Sequence, residues 1–538
     1  QQYYASSAGS ESYWNGYKGR AEMKYQKWYT NRLEWLGNYA LNLGDHNIKA
    51  VVGYTYEKSI WEQIGGSNND FSFDNTKYWD LGSGSYLKDG LASLYSGRSE
   101  STLIGFFGRL NYNWKDMLFA SASLRYEGSS KFGANQKWGY FPAASLAWEM
   151  MEMGFMKNTR KVLTSLKPRV SFGITGRSDF DAYKSLSTYN TNGSYLFDGR
   201  WVTGYAPSSN ANPDLAWEKS VAINLGVDFV LWNRLRGSVE YFDRSSKDLL
   251  YTYTAPQPPF VYSTILVNVG TTKNTGIEVS LDGDILTKTA VKWTSGINYS
   301  YGKTQLTKLS NDIYKASYLD LYLKPGTGSS EYFFRVQEGG EIGQFYGYEY
   351  AGVDENGNML ILNDKDEQIP ISQADAKYKR YIGNGAPKHF LSWSNNLTWK
   401  NFDLSVFFRG TFGFDVFNMR KYGMGLQGCG TDNVLRSAYL EDKNIRTGGG
   451  VISSYFLEDG SFIKLENVTL GYNFTPKNRK LLDNMRIYLS AKNLFTLTGY
   501  SGNDPSIIDV NGIQPGVDSN SAYPTATQLS LGVTLRFK

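Results

Sequence analysis

The C-terminal end of the chain alternates between apolar and polar residues. Residues 526–538 are written ATQLSLGVTLRFK. Successive side chains of an extended strand point to opposite faces, so this alternation puts the apolar residues on one face and the polar residues on the other. The apolar face would carry Leu529, Leu531, Val533, Leu535 and Phe537. The segment therefore predicts a strand with one side toward an apolar environment and the other toward water.

The same alternation recurs along the chain. Clear examples are residues 118–126, 221–229, 277–281 and 402–408, and fifteen or sixteen such strands can be placed in all. The penultimate aromatic residue, Phe537, is typical of outer-membrane barrels, whose last strand pairs with the first. These features predict an all-β protein, a transmembrane antiparallel β-barrel.

Composition argues against several other classes. No apolar run approaches the roughly 20 residues that a membrane-spanning helix needs. The 56 basic and 51 acidic residues give a formal net charge of +5, too small to indicate nucleic-acid binding. Cys429 is the single cysteine of the sequence, so it predicts neither an intrachain disulfide nor a thiolate metal site.

The connections between predicted strands sort into short and long ones. Short turns are expected near Asp45, Lys115, Asn233, Thr287, Lys400 and Asn478. Long loops are expected over residues 62–100, 180–214, 251–271, 308–387, 415–461 and 499–525. Outer-membrane barrels place short turns in the periplasm and long loops outside. Residues 151–166 depart from this rule and predict a periplasmic helix.

Seven segments carry motifs beyond simple alternation. They are SLRYEGSSKFGANQKWGYFPAASLAWEM (123–150), LKPRVSFGITG (166–176), NPDLAWEKS (212–220), NTGIEVSL (274–281), KNFDLSVFFRGTFGFDVFN (400–418), EDGSFIKLENVTLGYNF (458–474) and MRIYLSAKNLFTLTGYSGNDP (485–505). In this order they resemble the SusC/RagA family of TonB-dependent outer-membrane transporters. The resemblance runs from about Ala21 to the end of the chain.

The resemblance implies a 22-stranded barrel in the outer membrane, an N-terminal plug domain with a TonB-contacting segment, and a SusD-like surface lipoprotein as a lid. It also implies a dimer of transporter–lipoprotein pairs. Residues 1–20 are then the end of an extracellular loop, and residues 21–538 are the C-terminal part of the barrel. The plug domain and the early strands have no counterpart in the sequence.

The strand count leads to a further expectation. Fifteen or sixteen strands do not close a 22-stranded barrel, and an open edge in lipid leaves unpaired amides at several kcal/mol each. The opening QQYYASS resembles neither a signal peptide nor an initiator start. We therefore expect a companion fragment that carries the plug and early strands, with the break in a surface loop before Ala21.

Few residues suggest catalysis. His46 and His389 are far apart in sequence, which disfavours a triad or zinc site. DENGN (354–358) is interpreted as a hairpin turn rather than a calcium loop, and PGTGSS (325–330) as an outer loop rather than a phosphate cradle. Adjacent carboxylates such as Glu458 and Asp459 point to opposite faces of a strand. We expect no enzyme, cofactor or metal site.

Aromatic residues in the predicted outer loops are the candidates for contact with ligand. Their flat faces suit sugar rings and peptide side chains, although packing within loops or contact with the lid is the alternative for each. These vestibule candidates are Tyr189, Tyr195, Trp201, Tyr205, Tyr253, Phe260, Tyr262, Tyr318, Tyr322, Tyr332, Phe333 and Phe334. Tyr126, Trp148 and Tyr472 are instead predicted to be girdle anchors at the membrane interface.

The predicted function is TonB-energised import of oligosaccharides or oligopeptides, captured with the SusD-like lid. The residues leave the choice between glycan and peptide open. The second hypothesis is a non-transporting surface receptor or assembly scaffold built on the same barrel, and the third is a soluble lectin or glycosidase.

Overall fold

One large antiparallel sheet dominates the computed structural model. The model describes residues 2–6, 16, 18–310, 315–323, 332–427, 433–440, 445–446, 451–476, 482–518, 523 and 525–537. Within these residues the large sheet has sixteen strands. In pairing order they are β1 (Gln2–Ala5), β2 (Arg20–Leu43), β3 (His46–Asn69), β4 (Ser93–Trp114), β5 (Leu118–Ser129), β6 (Trp138–Trp148), β7 (Leu163–Arg177), β10 (Glu218–Leu231), β11 (Leu235–Lys247), β14 (Thr271–Leu286), β15 (Val291–Lys308), β23 (His389–Trp399), β24 (Phe402–Phe412), β27 (Phe462–Phe474), β28 (Leu482–Thr498) and β30 (Gln528–Phe537).

The long loops fold into smaller sheets. The hairpins are β8 (Tyr189–Phe197) with β9 (Arg200–Pro207), and β12 (Leu250–Thr254) with β13 (Thr264–Asn268). Residues 318–384 form two sheets, the first with β16 (Tyr318–Leu323), β17 (Tyr332–Gln337), β18 (Gln344–Gly347) and β22 (Arg380–Asn384), the second with β19 (Tyr350–Val353), β20 (Met359–Leu362) and β21 (Gln368–Pro370). A further sheet joins β25 (Asp415–Asn418), β26 (Leu457–Asp459) and β29 (Val517–Asp518).

The helices of the described chain are short. Helix α1 spans Met419–Met424 and α2 spans Ser437–Leu440. No helix of the described residues is long and apolar enough to cross a membrane. The remaining helices are single 3₁₀ segments: Asp74–Thr76, Leu81–Ser83, Ser85–Leu87, Met150–Glu152, Gly154–Thr159, Ile371–Gln373, Ala376–Tyr378, Ser454–Phe456 and Pro505–Ile507.

The alternation predicted from sequence gives the large sheet two different faces. On β10, Leu225 lies opposite Val170 of β7 and Tyr241 of β11, and all three side chains are exposed. On the other face Arg169 contacts Asp228 at 3.2 Å and also pairs with Glu240. We call these the apolar face and the inner face. An exposed apolar band is stable only against hydrocarbon or another apolar partner.

Contacting aromatic rings mark the two borders of the apolar band, stacked at one border and edge-on at the other. Toward the long loops, Tyr126 stacks on Trp138 at 4.6 Å and on Tyr140 at 4.5 Å. Toward the short turns, Phe402 contacts Tyr472 at 4.9 Å. Such rings suit the interface between hydrocarbon and water. Tyr126 and Tyr472 therefore lie where girdle anchors are expected.

Strands β3 and β4 extend farther than the sequence pattern indicates. Residues 62–100 are predicted as a loop, yet β3 continues to Asn69 and β4 begins at Ser93, with Gly65 opposite Tyr95. The pairing is continuous from there to the short-turn end of the two strands, where His46 lies opposite Trp114. The prediction fails because strands that leave the membrane no longer need an apolar face, so alternation stops while backbone pairing continues.

The helix predicted over residues 151–166 is corrected. Residues 151–166 form no α-helix: two short 3₁₀ segments lead into β7, and the Arg160 guanidinium donates to the carbonyl oxygen of Met151 at 2.6 Å. Within residues 1–20, predicted as the end of an extracellular loop, the structure describes the short strand β1, whose Ala5 pairs with Arg20. Within the described residues no pairing joins β1 to β30, so these two strands are the edges of the sheet.

We expect the two faces to respond differently to charge. Leu225→Arg puts a cation at mid-height on the apolar face and should lower the free energy of unfolding in phospholipid vesicles by about 2–4 kcal/mol. The matched control is Asn224→Arg, since Asn224 lies on the inner face and donates to Ser171 at 3.2 Å. In the same denaturant titration, the control should lower the free energy of unfolding clearly less. Equal losses would contradict the assignment of the faces.

Candidate functional site

The C-terminal loop, residues 499–527, folds back onto the inner face of the sheet. The loop is described at residues 499–518, 523 and 525–527. Tyr500 and Ile508 pack with Phe414, Val416 and Phe462 in one buried apolar cluster. Because Phe462 is the first residue of β27, this cluster fixes the loop to the end of the sheet that carries the long loops.

A buried ion pair pins this loop to β27. The Lys464 ammonium lies 3.0 Å from Asp504 Oδ2, and the two side chains are 4% and 9% exposed. Lys464 also donates to Ser506 Oγ at 2.8 Å, and Asp504 accepts from Thr525 Oγ1 at 2.6 Å. Removing two charges from water is costly, and only this complete set of partners compensates for it.

The partners of Asp504 also set its protonation. Burial opposes the charged carboxylate, but the hydrogen bonds from Thr525 and Ser506 and the Lys464 ammonium outweigh burial, so the pKa of Asp504 is lowered. Asp504 is therefore ionised at neutral pH, and the pair with Lys464 is fully charged.

Further contacts hold the C-terminal loop on other loops. Ser501 donates from its backbone N–H and from its hydroxyl to Glu458, both at 2.8 Å. The hydroxyl of Tyr500 donates to Asp518, and burial together with this carboxylate raises the pKa of Tyr500. Glu458 therefore anchors the C-terminal loop.

A second anchor joins the loop between β15 and β23 to the sheet. Glu341 contacts Lys303 of β15 at 2.9 Å and Lys388 at 3.3 Å, and Asn384 donates to it at 3.1 Å. Burial alone would raise the pKa of Glu341, but the two ammonium groups lower it. The loop is thus held against the strand by charges as well as by apolar packing.

A cavity of about 420 Å³ lies between the inner face and the C-terminal loop. Its wall comes from β11, β14, β15, β23 and β24, and it includes Glu240, Glu278, Asn298, Phe390 and Arg409. Pro505, Ser506, Ile508 and Val510 of the C-terminal loop line the other side. A cavity of this size with a few polar groups has the form of a small-molecule binding site.

Four of the aromatic vestibule candidates lie on the hairpin β8–β9. Tyr189, Tyr195, Trp201 and Tyr205 are all exposed there, Trp201 by 74%. Three others lie around the hairpin β12–β13. Tyr253 and Phe260 are partly buried against its apolar cluster, whereas Tyr262 is exposed.

The candidates between residues 318 and 334 differ from one another. Tyr318 and Tyr332 are exposed, and the guanidinium of Arg335 lies 3.7 Å from the centre of the Tyr318 ring. The side chain of Tyr322 lies outside the described part of the structure. Phe333 and Phe334 are fully buried. Their interpretation as vestibule residues is therefore corrected, because both pack in a core between loops.

The burial of Phe333 and Phe334 has a clear cause. Phe333 stacks on Phe417 and Phe334 on Phe345, each at 4.6 Å. They belong to a core that also includes Met359 and Phe456 and unites several long loops. The sequence shows that these residues lie in a loop but not that the loops share a core.

Both histidines have a hydrogen-bond partner in the sheet. His46 Nδ1 lies 2.7 Å from the Tyr112 hydroxyl, and His389 Nδ1 lies 2.8 Å from that of Tyr299. Residues 354–358 connect β19 to β20 in the predicted hairpin turn, which is closed by the backbone N–H of Asp354 donating to the carbonyl oxygen of Asn358 at 3.0 Å. Among the described residues, no three His, Cys, Asp or Glu side chains converge as metal ligands.

The sequence analysis does not identify the residues that build this site. They are Phe390 and Arg409, which line the cavity, and Lys464 and Asp504, whose ion pair holds the loop that covers it. The alternation of β23 contains a usable signal, because Phe390 shares the inner face with Ser392 instead of the apolar face with Leu391. The contact of Asp504 with Lys464 joins residues 40 apart and follows only from the loop fold.

Comparison with known proteins identifies the family. Residues 1–494 match the family described as TonB dependent receptor-like, beta-barrel, and the chain belongs to that family. Proteins of this family are outer-membrane β-barrels, which assigns the chain to the outer membrane.

Several relatives are similar over most of this chain. TonB-dependent receptor P3 of Formosa agariphila is 28% identical over 97% of this chain and 54% of its own length. TonB-dependent receptor SusC of Bacteroides thetaiotaomicron is 27% identical over 95% of this chain and 51% of its own length. The chain thus spans about half the length of the curated relatives it matches.

Solved structures show the same fold. The RagAB peptide importer in its 'open-open' state superposes with a TM-score of 0.78 and 26% identity, over 96% of this chain and 55% of the other. The 'closed-closed' state gives a TM-score of 0.79 at 24% identity, with 96% and 56% coverage.

Loss of one partner should release the C-terminal loop. Lys464→Met leaves Asp504 buried without its counter-ion. This should destabilise the packing of the C-terminal loop on the sheet by about 3–5 kcal/mol. Limited proteolysis should then cut residues 499–518 faster than in the unaltered protein. Arg177→Met is the control, since its pair with Asp179 at 3.2 Å is well exposed. Equal proteolysis in both variants would refute the role of the buried pair.

Acid should loosen the same loop. The pKa of Asp504 is lower in the folded loop than in the unfolded chain, where it is about 3.9. The stability that Asp504 gives the loop is therefore complete above the unfolded pKa and is lost as the pH falls through the folded pKa. Hydroxyl-radical footprinting of residues 499–518 should therefore stay constant from about pH 7 to 5 and increase below about pH 4. Asp504→Asn should remove that dependence, because the amide does not titrate. A dependence that persists in the variant would assign it to other groups.

Proposed function

We propose that this chain forms the wall and outer loops of an outer-membrane importer that takes up oligosaccharides or oligopeptides. The single observation that carries the proposal is the folding of the long loops onto the polar inner face at one end of the sheet. A wall with a polar inside and an apolar outside suits a polar cargo that crosses the membrane. The loops supply contacts for selection, and the strands supply a rigid frame.

Similarity to SusC and RagAB supports the energy source and the protein partners that we propose for this importer. SusC is named as a TonB-dependent receptor, and RagAB as a peptide importer. We extend to this chain energisation by TonB through a plug domain and capture of cargo beneath a SusD-like surface lipoprotein. Transporter–lipoprotein pairs would assemble as dimers. The edges at β1 and β30 would pair with the further strands of a 22-stranded barrel, since open edges are not stable in lipid.

We assign the hairpin β8–β9 to contact with the cargo or the lid. Tyr189, Tyr195, Trp201 and Tyr205 present exposed rings at the end of the sheet that carries the long loops. Exposed aromatic side chains bury large areas at low entropic cost when a partner binds. Tyr253, Phe260, Tyr262, Tyr318, Tyr322 and Tyr332 are assigned to the rim of the same vestibule.

The import proposal makes a direct prediction for cells. Deletion of the gene should abolish uptake of the cargo oligosaccharide or oligopeptide, and loss of TonB should do the same while the protein stays in the outer membrane. Uptake of radiolabelled cargo at low external concentration is the measurement. Surface binding of cargo without TonB-dependent entry would instead identify a non-transporting receptor or scaffold.

The hairpin can be tested separately. Trp201→Ala with Tyr205→Ala should weaken capture of the cargo or the lid by roughly tenfold or more, about 1.4 kcal/mol, without lowering the amount of protein in the membrane. Trp232→Ala is the matched control, because Trp232 is 56% exposed at the opposite end of the sheet, in the turn between β10 and β11. Equal effects of the two changes would contradict the assignment.

A further inference from the structure

We infer that the cavity beneath the C-terminal loop is a subsite for one ring of a neutral oligosaccharide, with Phe390 as its stacking platform. The inference rests on the proposed import function. It narrows the cargo from two classes to one and names the residues that would select it.

Phe390 is an apolar residue in a polar setting. It lies on the inner face of β23, opposite Ser300 of β15 and Thr411 of β24. Its side chain is 42% exposed, and it lines the cavity. No aromatic or cationic partner covers the ring among the residues that the structure describes. An open ring at the wall of a cavity offers a flat apolar surface to a ligand.

The wall around Phe390 consists mainly of neutral hydrogen-bonding groups. One row across the strands runs from Ser238 to Ser280, Asn298 and Ser392, each opposite the next in register. Serine hydroxyls and asparagine amides both donate and accept hydrogen bonds. The hydroxyl groups of a sugar also do both, so they can satisfy such a wall.

The charges at the cavity are largely compensated. Glu240 pairs with Arg169, and Arg409 lies 2.9 Å from Glu466. Glu278, which lies opposite Glu240, has no ion pair among the described residues. One carboxylate can accept two sugar hydroxyls, so this balance favours a neutral ligand over a highly charged one.

The C-terminal loop forms a mainly apolar roof over part of the cavity, which stays partly open. Pro505, Ile508 and Val510 face the wall from the C-terminal loop, and Phe414 and Phe462 close one side. A sugar ring has apolar C–H faces and a polar rim of hydroxyls. Its faces would therefore lie between Phe390 and the roof, with the hydroxyls toward the serine row. The volume of about 420 Å³ lies at the lower part of the range for ligand sites, which limits the subsite to a small part of an oligosaccharide.

The test is calorimetric titration of the intact, detergent-solubilised complex with a panel of neutral tetrasaccharides of glucose, galactose, mannose and xylose. At least one should bind, and Phe390→Ala should weaken that binding by about tenfold or more, equivalent to about 1.4 kcal/mol. Phe390→Trp should retain binding, because it keeps the flat surface. Trp393→Ala is the control, because this aromatic residue of the same strand is also exposed but lies on the apolar face, opposite Ile297, and does not line the cavity; it should not change binding.

Any of four results would overturn the inference. The first three are no binding by any member of the panel, equal effects of Phe390→Ala and Trp393→Ala, and binding only of lysine-containing tetrapeptides that Glu278→Gln abolishes. If a segment of the protein itself covers Phe390, Phe390→Ala would change stability and leave glycan affinity unchanged, which also overturns it. TonB-dependent uptake of peptides together with any of these results would leave the import proposal intact.

Discussion

The structure depends on one constraint, namely that every backbone N–H and C=O group in hydrocarbon must have a hydrogen-bond partner. The large sheet meets this requirement through continuous antiparallel pairing, from β2 with β3 to β28 with β30. Because the pairing uses the backbone, the side chains are free to serve two environments. Exposed residues such as Leu225 and Tyr241 face outward, while Arg169, Asp228 and Glu240 interact on the inner face.

The long loops are attached to the large sheet but do not share its alternation of apolar and polar residues. Once the chain leaves the apolar band, it builds a conventional buried core, in which Phe333, Phe345 and Phe417 pack together. Charged contacts then attach these loops to the strands, through Glu341 with Lys303 and through Asp504 with Lys464. The cavity therefore has one side set by the strand register and another side set by a loop, so its shape depends on the loop remaining in place.

The sequence predicts the sheet well because alternation is a local property. Strands such as β10 and β24 and the turns near Lys115 and Asn233 follow directly from it. The upper part of β3 does not, since pairing there continues after the apolar pattern ends. The sequence predicts a loop at Phe333 and Phe334 but not the core that buries them, and it does not indicate the pair of Lys464 with Asp504. Both depend on contacts between distant segments, which leave no periodic signal.

The central claim is that β10 separates lipid from an aqueous interior. Its most direct test is spin labelling of single cysteines at residues 222–228, with Cys429→Ser as the background, in phospholipid vesicles. Collisions with oxygen, which concentrates in hydrocarbon, should be frequent at 223, 225 and 227 and rare at 222, 224, 226 and 228. Oxygen accessibility without a period of two, or with the opposite phase, would contradict the account.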